Sequence, residues 1–139
     1  MATRTAARKR ADERMTYNVY VATCPSRQVL DTLSDKWVSL IVHALADGRL
    51  RYSELRKRIM GVSQKMLTQS LRTLEREGIV TRTLTAAVPV RVDYELTEVG
   101  QTLVPIMDAI KVWAETHIDY ISSSRTTYDA RSATEAATT

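Results

Sequence analysis

Apolar and polar positions divide most clearly in the stretch SQKMLTQSLRTLEREG, which runs from Ser63 to Gly78. Leu67, Leu71 and Leu74 recur at spacings of four and three, which places them on one face of a helix. Ser63 has the hydroxyl of a good N-cap, and Gly78 is a residue type that commonly ends a helix. The pattern predicts an amphipathic helix whose leucines face a core.

The opposite face of this helix carries basic and amide side chains and no carboxylate. Its residues are Lys65, Gln69, Arg72 and Arg76, with Thr68 at the edge. Lys and Arg reach phosphates or guanine edges, Gln pairs with adenine, and Thr does either. Taken alone, however, such a face is also typical of an ordinary solvated helix.

Two shorter helices are predicted upstream. Pro25 suits a first helical turn, so a helix is expected to run from there to about Leu33, with Cys24 as its N-cap. Asp35 is expected to cap a second helix, residues 36–46, whose broad apolar face is typical of the middle of a domain.

The helix that begins at Ser63 is preceded by a short connection and another helix. Residues 49–52 are compatible with a short strand, and Ser53 is expected to cap a helix over residues 54–59. The loop that follows is three residues long and contains a glycine. Two helices joined in this way have the layout of a helix-turn-helix.

Residues 79–85 and 90–96 alternate between apolar and polar positions, and residues 86–89 separate them, which predicts a β-hairpin. Arg82 and Arg91 flank its tip. A helix-turn-helix followed by a basic hairpin is the order of a winged helix, in which the wing lies on the phosphate backbone or in the minor groove. The combination favours DNA binding over the solvated-face interpretation.

Thr97 is expected to cap a last helix, which reaches about Ile121. This helix is predicted to form a dimer surface, since its apolar area exceeds what a small core covers. Packing within the chain remains the alternative. The apolar stripe consists of Val99, Leu103, Ile106, Ile110, Trp113 and His117.

Both ends of the chain differ from the middle. The start is polar, charged and without apolar periodicity, whereas the end is rich in Ser, Thr and Ala. Between residue 14 and the first predicted helix, an apolar segment that contains Tyr17 and Tyr20 is expected to pack against a second subunit. The predicted division is a mobile basic arm (1–14), one winged-helix domain (15–121) with its dimerisation helix at about 97–121, and a disordered tail (122–139).

The predicted elements together form a mainly α fold that carries a small β-hairpin. With 139 residues, 44% hydrophobic and 26% charged, the chain resembles an ordinary soluble globular domain, and no apolar run is long enough for a membrane span. A cytoplasmic location without membrane contact is the resulting expectation.

Residues 49–95 hold ten Lys and Arg against five Asp and Glu, whereas residues 96–139 hold three against six, so the middle is expected to meet a polyanion.

The single cysteine is the remaining candidate for chemistry. At a helix N-cap, the dipole and free N–H groups would favour the thiolate of Cys24, whereas the alternative is a small buried core residue. Cys24, His43 and His117 fall on three separate elements, which speaks against a metal site. With no phosphate loop and no paired carboxylates at useful spacing, neither an enzyme nor a cofactor is expected.

Several short motifs along the chain form one combined pattern. They are Cys24-Pro25, Lys36-Trp37, Tyr52-Ser53-Glu54-Leu55, the segment from Gly61 to Leu67 with Leu71, Leu74 and Gly78, Pro89, Val92-Asp93-Tyr94, Leu96-Thr97 and Gly100. In combination they resemble the HxlR-type winged-helix regulators of bacteria, relatives of the MarR type. The resemblance covers about residues 22–121, and Asp35 and Asp93 depart from the residues more usual in the family, Gly and Glu.

The resemblance implies a homodimer, joined through N-terminal segments and C-terminal helices, that binds an inverted-repeat operator. Some members sense oxidants, quinones or aldehydes through a cysteine at the position of Cys24. A sequence-specific regulator of double-stranded DNA, expected to be a repressor switched by oxidation or electrophile modification, is therefore the leading hypothesis. The alternatives are switching by a non-covalent small ligand and a protein-interaction module, which would expose aromatic or aliphatic anchors on the central helix.

The DNA-contacting residues are predicted from this arrangement. We expect Gln64, Lys65, Thr68, Gln69 and Arg72 at the major groove, Arg82 and Arg91 on the backbone or minor groove, and Arg51 and Ser63 on phosphates.

Overall fold

The fold is mainly α-helical with a small antiparallel sheet. The computed structural model describes residues 5–6 and 18–138. The elements are, in order, α1 (Pro25–Leu33), α2 (Lys36–Leu45), β1 (Leu50–Arg51), α3 (Tyr52–Arg58), α4 (Gln64–Arg76), β2 (Val80–Thr85), β3 (Arg91–Leu96) and α5 (Glu98–Thr138).

The predicted hairpin is confirmed and is part of a three-stranded sheet of order β1-β3-β2. The hairpin register runs from Val80 opposite Leu96 to Thr85 opposite Arg91. On its other side, β3 pairs with β1, which places Arg51 opposite Asp93. Because α3 begins directly after β1, the sheet fixes where the helix-turn-helix starts relative to the wing.

The core lies between α2, α4 and the sheet, and α3 and α5 close it. Leu67, Leu71 and Leu74 are fully buried, as the leucine spacing predicts. They pack in one cluster with buried side chains from every neighbouring element, among them Val38, Ile41, Val42, Leu45, Leu55, Val80, Leu96 and Met107.

Three helix ends form as their residue types predict. The Asp35 carboxylate accepts from the backbone N–H of Trp37 at 2.7 Å, which caps α2. Ser63 Oγ accepts from the N–H of Met66 at 3.1 Å, which caps α4. After α4, Gly78 has a φ of 74°, a left-handed conformation that favours glycine.

The wing and α5 join through Thr97, the predicted cap of α5. Its hydroxyl accepts from the N–H of Gly100 at 3.1 Å and donates to the carbonyl of Gly78 at 2.6 Å. The Thr97 N–H also donates to the carbonyl of Ile79 at 3.0 Å. Thr97 therefore connects the start of α5 to residues 78–79, which lie just after α4.

The predicted start of α3 is wrong. Arg51 rather than Ser53 is its N-cap, and Glu54 reaches back to accept from the Arg51 N–H at 3.3 Å. Arg51 is the last residue of β1, where it pairs with Asp93, so the helix begins at the next residue.

The predicted end of α5 and the predicted disordered tail are also wrong for residues 122–138, which continue the helix. The Thr126 hydroxyl there donates to the carbonyl of Ser122 at 3.1 Å, so this polar side chain is satisfied within the helix and does not replace a backbone hydrogen bond. Alanines at 130, 133, 136 and 137 add helix propensity. This half of α5 is exposed.

The predicted basic arm lies outside the described residues except for residues 5–6, as does the segment around Tyr17. Within the described ranges, no helix combines the length and the apolarity that a membrane span requires.

Candidate nucleic-acid interface

The outward face of α4 presents cationic and amide side chains to solvent. Lys65, Gln69 and Arg72 are exposed, as are Ser63 and Gln64 at the helix start. The buried leucines on the opposite side hold the helix on the core, so this face projects away from the domain. A protruding helix of this chemistry has the size and the groups to enter a major groove.

Thr68 differs from these neighbours because it is half-buried and bonded to another helix. The hydroxyl oxygen of Tyr52, the first residue of α3, lies 3.1 Å from Thr68 Oγ1. The Tyr52 hydroxyl also donates to the backbone carbonyl of Gln64 at 3.2 Å. Tyr52 therefore fastens the first turn of α4 to α3. The sequence prediction missed this role, since no periodicity links residues on two helices.

The predicted wing arginines form ion pairs within the chain. Arg82 Nε lies 3.7 Å from Glu75 Oε2, which connects β2 to α4. Arg91 Nε donates to both carboxylate oxygens of Asp93, at 2.9 and 3.1 Å. Asp93 is only 2% exposed, so it holds Arg91 from inside the wing. Residues i and i+2 of a strand lie on the same face, so the ion pair between Arg91 and Asp93 could have been predicted from their spacing in the sequence.

Arg51, Arg82 and Arg91 surround one concave surface between the wing and the start of α3. The cavity measures about 800 Å³, and Tyr52 and Tyr94 also line it. Arg51 Nε is 3.9 Å from Glu54 Oε1, a contact between half-exposed groups that leaves the guanidinium available to solvent. The structure thus brings the three arginines predicted outside α4 to one basic surface beside it.

Tyr94 lies beneath this surface. Burial raises the pKa of its hydroxyl, while the Arg82 charge lowers the pKa and the Glu75 charge raises it to smaller extents. The hydroxyl is therefore neutral at physiological pH and adds no negative charge under the arginines.

Cys24 is the N-cap of α1, as predicted, but its side chain is only 4% exposed. Its carbonyl accepts from the N–H of Arg27 at 3.1 Å, and the Arg27 guanidinium donates to the carbonyl of Tyr20 at 3.3 Å. These bonds connect α1 to the segment that precedes it, and the thiol between them in sequence is buried. This is the buried arrangement that the sequence left open as the alternative.

The predicted dimer residues differ in how exposed they are. Ile106, Ile110 and Trp113 are exposed along α5, and Tyr20 is 89% exposed. Leu103 packs partly on the core of its own chain, whereas Tyr17 lies outside the described residues.

His117 is half-buried and stacks on Trp113, with ring centroids 4.6 Å apart.

An open cleft of about 670 Å³ lies between α2 and α5, where His43 Nδ1 is 3.3 Å from Asp108 Oδ1. Within the described part of the chain, no three His, Cys, Asp or Glu side chains are grouped as metal ligands would be.

Comparison with known proteins gives one consistent result. The family described as HxlR-like helix-turn-helix matches residues 32–122. The HTH-type transcriptional regulator YdeP of Bacillus subtilis is 41% identical over 98 residues, which cover 70% of this chain and 77% of YdeP.

Solved structures show the same likeness. The transcriptional regulator ytfH from Salmonella typhimurium superposes with a TM-score of 0.73 at 39% identity, covering 78% of this chain and 96% of that one. The redox regulator HypR in its oxidised form gives a TM-score of 0.62 at 41% identity, covering 67% and 96%. The chain belongs to the HxlR-like helix-turn-helix family of DNA-binding transcriptional regulators.

Proposed function

We propose that this regulator is a repressor that binds an inverted-repeat operator as a homodimer, with α4 in the major groove of each half-site. The observation that carries the proposal is the outward face of α4, where Gln64, Lys65, Gln69 and Arg72 are exposed together. These side chains are the residue types that read guanine and adenine edges and contact phosphates.

The basic surface beside α4 supports this orientation. Arg51, Arg82 and Arg91 surround it, so phosphates that flank the occupied major groove would meet three guanidinium groups. Arg91 is held by a buried carboxylate, which lowers the entropy lost when it binds. The protein-interaction alternative is disfavoured because α4 contains no aromatic residue, and Met66, 36% exposed, is the one apolar side chain of α4 that is not buried.

The exposed apolar side chains of α5 support the homodimer. Ile106, Ile110 and Trp113 are more than half exposed on a helix that closes only part of the core. A two-fold pair of such helices would bury these side chains and place two copies of α4 on successive turns of DNA, about 34 Å apart. Occupying the operator would itself block transcription, which is the basis for proposing repression.

Titration of the purified protein against DNA fragments flanking its own coding region tests the proposal. We expect specific binding that weakens by about 10³–10⁵ between 50 and 200 mM salt if six to ten phosphates are contacted. Absence of sequence preference among genomic fragments would contradict operator binding.

Arg72→Ala is expected to weaken operator binding by about 1–3 kcal/mol if Arg72 contacts a base. The loss should be largest on the preferred sequence and small on variants already mismatched at the contacted base pair. Competition binding with an operator series measures it, and Arg125→Ala on the exposed half of α5 is the matched control. A loss equal on every sequence would make Arg72 a phosphate contact instead.

We also propose that modification of Cys24 switches DNA binding. Cys24 begins α1, next to the segment proposed to lie at the dimer interface, and the chain resembles the redox regulator HypR. Because each chain has one cysteine, a disulfide requires a second thiol, from the partner chain or from a small thiol. Two thiols would then form one disulfide and pass two electrons and two protons to the oxidant.

Diamide is expected to release wild-type protein from DNA and to leave Cys24→Ser bound. Since the thiol is buried, its reaction with a thiol reagent should be slower in the native protein than after unfolding. Gel-shift binding with and without diamide measures the switch. If wild type and Cys24→Ser respond alike, Cys24 is not the sensor, and a non-covalent ligand in the cleft between α2 and α5 becomes the candidate.

A further inference from the structure

The hydrogen bonds between Tyr52, Thr68 and Gln64 restrict what Thr68 offers to DNA. A threonine hydroxyl that is free to rotate donates to one base and accepts from another, so it discriminates poorly. Thr68 is not free, since its oxygen lies 3.1 Å from the Tyr52 hydroxyl.

The number of available protons limits which hydroxyl donates in the hydrogen bond between Tyr52 and Thr68. The carbonyl of Gln64 only accepts, and the Tyr52 hydroxyl donates to it at 3.2 Å. A phenol has one proton, so Tyr52 has none left for Thr68. Both hydrogen bonds are made at once only when the proton shared by the two hydroxyls comes from Thr68, and Thr68 then keeps only acceptor lone pairs for any other partner.

We propose that Tyr52 is a specificity-determining residue, which holds Thr68 as a hydrogen-bond acceptor and so selects a base with an exocyclic amino group in the major groove. Adenine N6 and cytosine N4 are such donors, whereas guanine and thymine present acceptors at the corresponding edge. Against a guanine, Thr68 would face two acceptors with no proton to share. This inference rests on the proposed insertion of α4 into the major groove.

The test is competition binding to an operator half-site in which each base pair is replaced in turn, using the full-length chain. Thr68→Val keeps the shape and removes the hydroxyl, and the base pair at which it loses discrimination identifies the Thr68 contact. There, wild type is expected to prefer adenine or cytosine over guanine by about 5- to 100-fold, the range for one good base contact.

Tyr52→Phe is expected to reduce that preference at least about fivefold at the same base pair, a larger change than at any other position. The freed Thr68 hydroxyl can then donate to a base acceptor as well as accept from a base donor. Thr68→Ser, which keeps the hydroxyl, should behave like wild type. An operator with a base analogue that lacks the amino group should weaken wild type but not Thr68→Val.

A purely structural role for Tyr52 would lower affinity equally on every half-site, and that result would overturn the inference. It would also be overturned if wild type preferred guanine or thymine at the position that Thr68→Val identifies, or if neither variant changed any base preference. In each case wild type still binds specifically, so the proposed function survives. If wild type shows no sequence preference, both the proposed function and this inference are wrong.

Discussion

Leu67→Ala is expected to lower the free energy of unfolding by about 2–5 kcal/mol, because it removes a fully buried side chain from beneath α4. This is a large share of the total stability of a domain, which is about 5–15 kcal/mol. Leu67 belongs to one core cluster whose other members include residues of α2, α3, α4, the sheet and α5, and these side chains already hold the elements in place, so collapse into the vacated space is limited. Denaturant unfolding followed by far-UV circular dichroism measures the loss.

Met66→Ala is the matched control for this substitution. Met66 precedes Leu67 on the same helix and is 36% exposed, so its truncation should cost much less. Equal destabilisation by the two substitutions would mean that α4 is not docked on the core through its leucine face.

Gly100→Ala is expected to cost about 3 kcal/mol, the upper part of the range for overpacking. A Cβ at residue 100 would collide with the backbone carbonyl oxygen of Ile79 and lie 3.2 Å from a Leu96 methyl carbon. The obstacle is backbone, which cannot rotate away as a flexible side chain would. Removing this collision requires α5 to shift, which breaks the hydrogen bonds from the Thr97 hydroxyl to the carbonyls of Gly78 and Ile79.

The neighbouring substitution Gln101→Ala controls for the change in helix propensity, since Gln101 is exposed on the same turn. Thermal unfolding of both variants should show a large drop in melting temperature for Gly100→Ala only. An unchanged melting temperature would show that α5 is free to move away from the wing.

The fold was predictable from the sequence where local chemistry decides the outcome. Asp35 and Ser63 cap helices because their side chains reach nearby N–H groups. The start of α3 was mispredicted because β1 fixes Arg51, a tertiary constraint that a local cap signal does not contain. Residues 122–138 were mispredicted because Ser and Thr suit both disorder and a helix in which their hydroxyls bond to the preceding turn.

The candidate site was predictable as a set of side-chain types but not as a network. The 3.6-residue period places Lys65, Gln69 and Arg72 on one outward face, which the structure confirms. Tyr52, by contrast, meets Thr68 as a tertiary contact between two helices, which no period along a single helix predicts. The Arg82–Glu75 pair likewise depends on how the wing packs beside α4, which no spacing along the chain encodes.

The central claim is that the outward face of α4 reads the operator, and one measurement tests it most directly. The affinity for the operator is divided by the affinity for a scrambled duplex at the same salt, for wild type and for a variant with Gln64, Lys65, Gln69 and Arg72 replaced by alanine. We expect a ratio of about 10³ or more for wild type and a ratio near one for the variant, while the wing arginines preserve weak non-specific binding. A variant that keeps the wild-type ratio would show that α4 does not read the DNA.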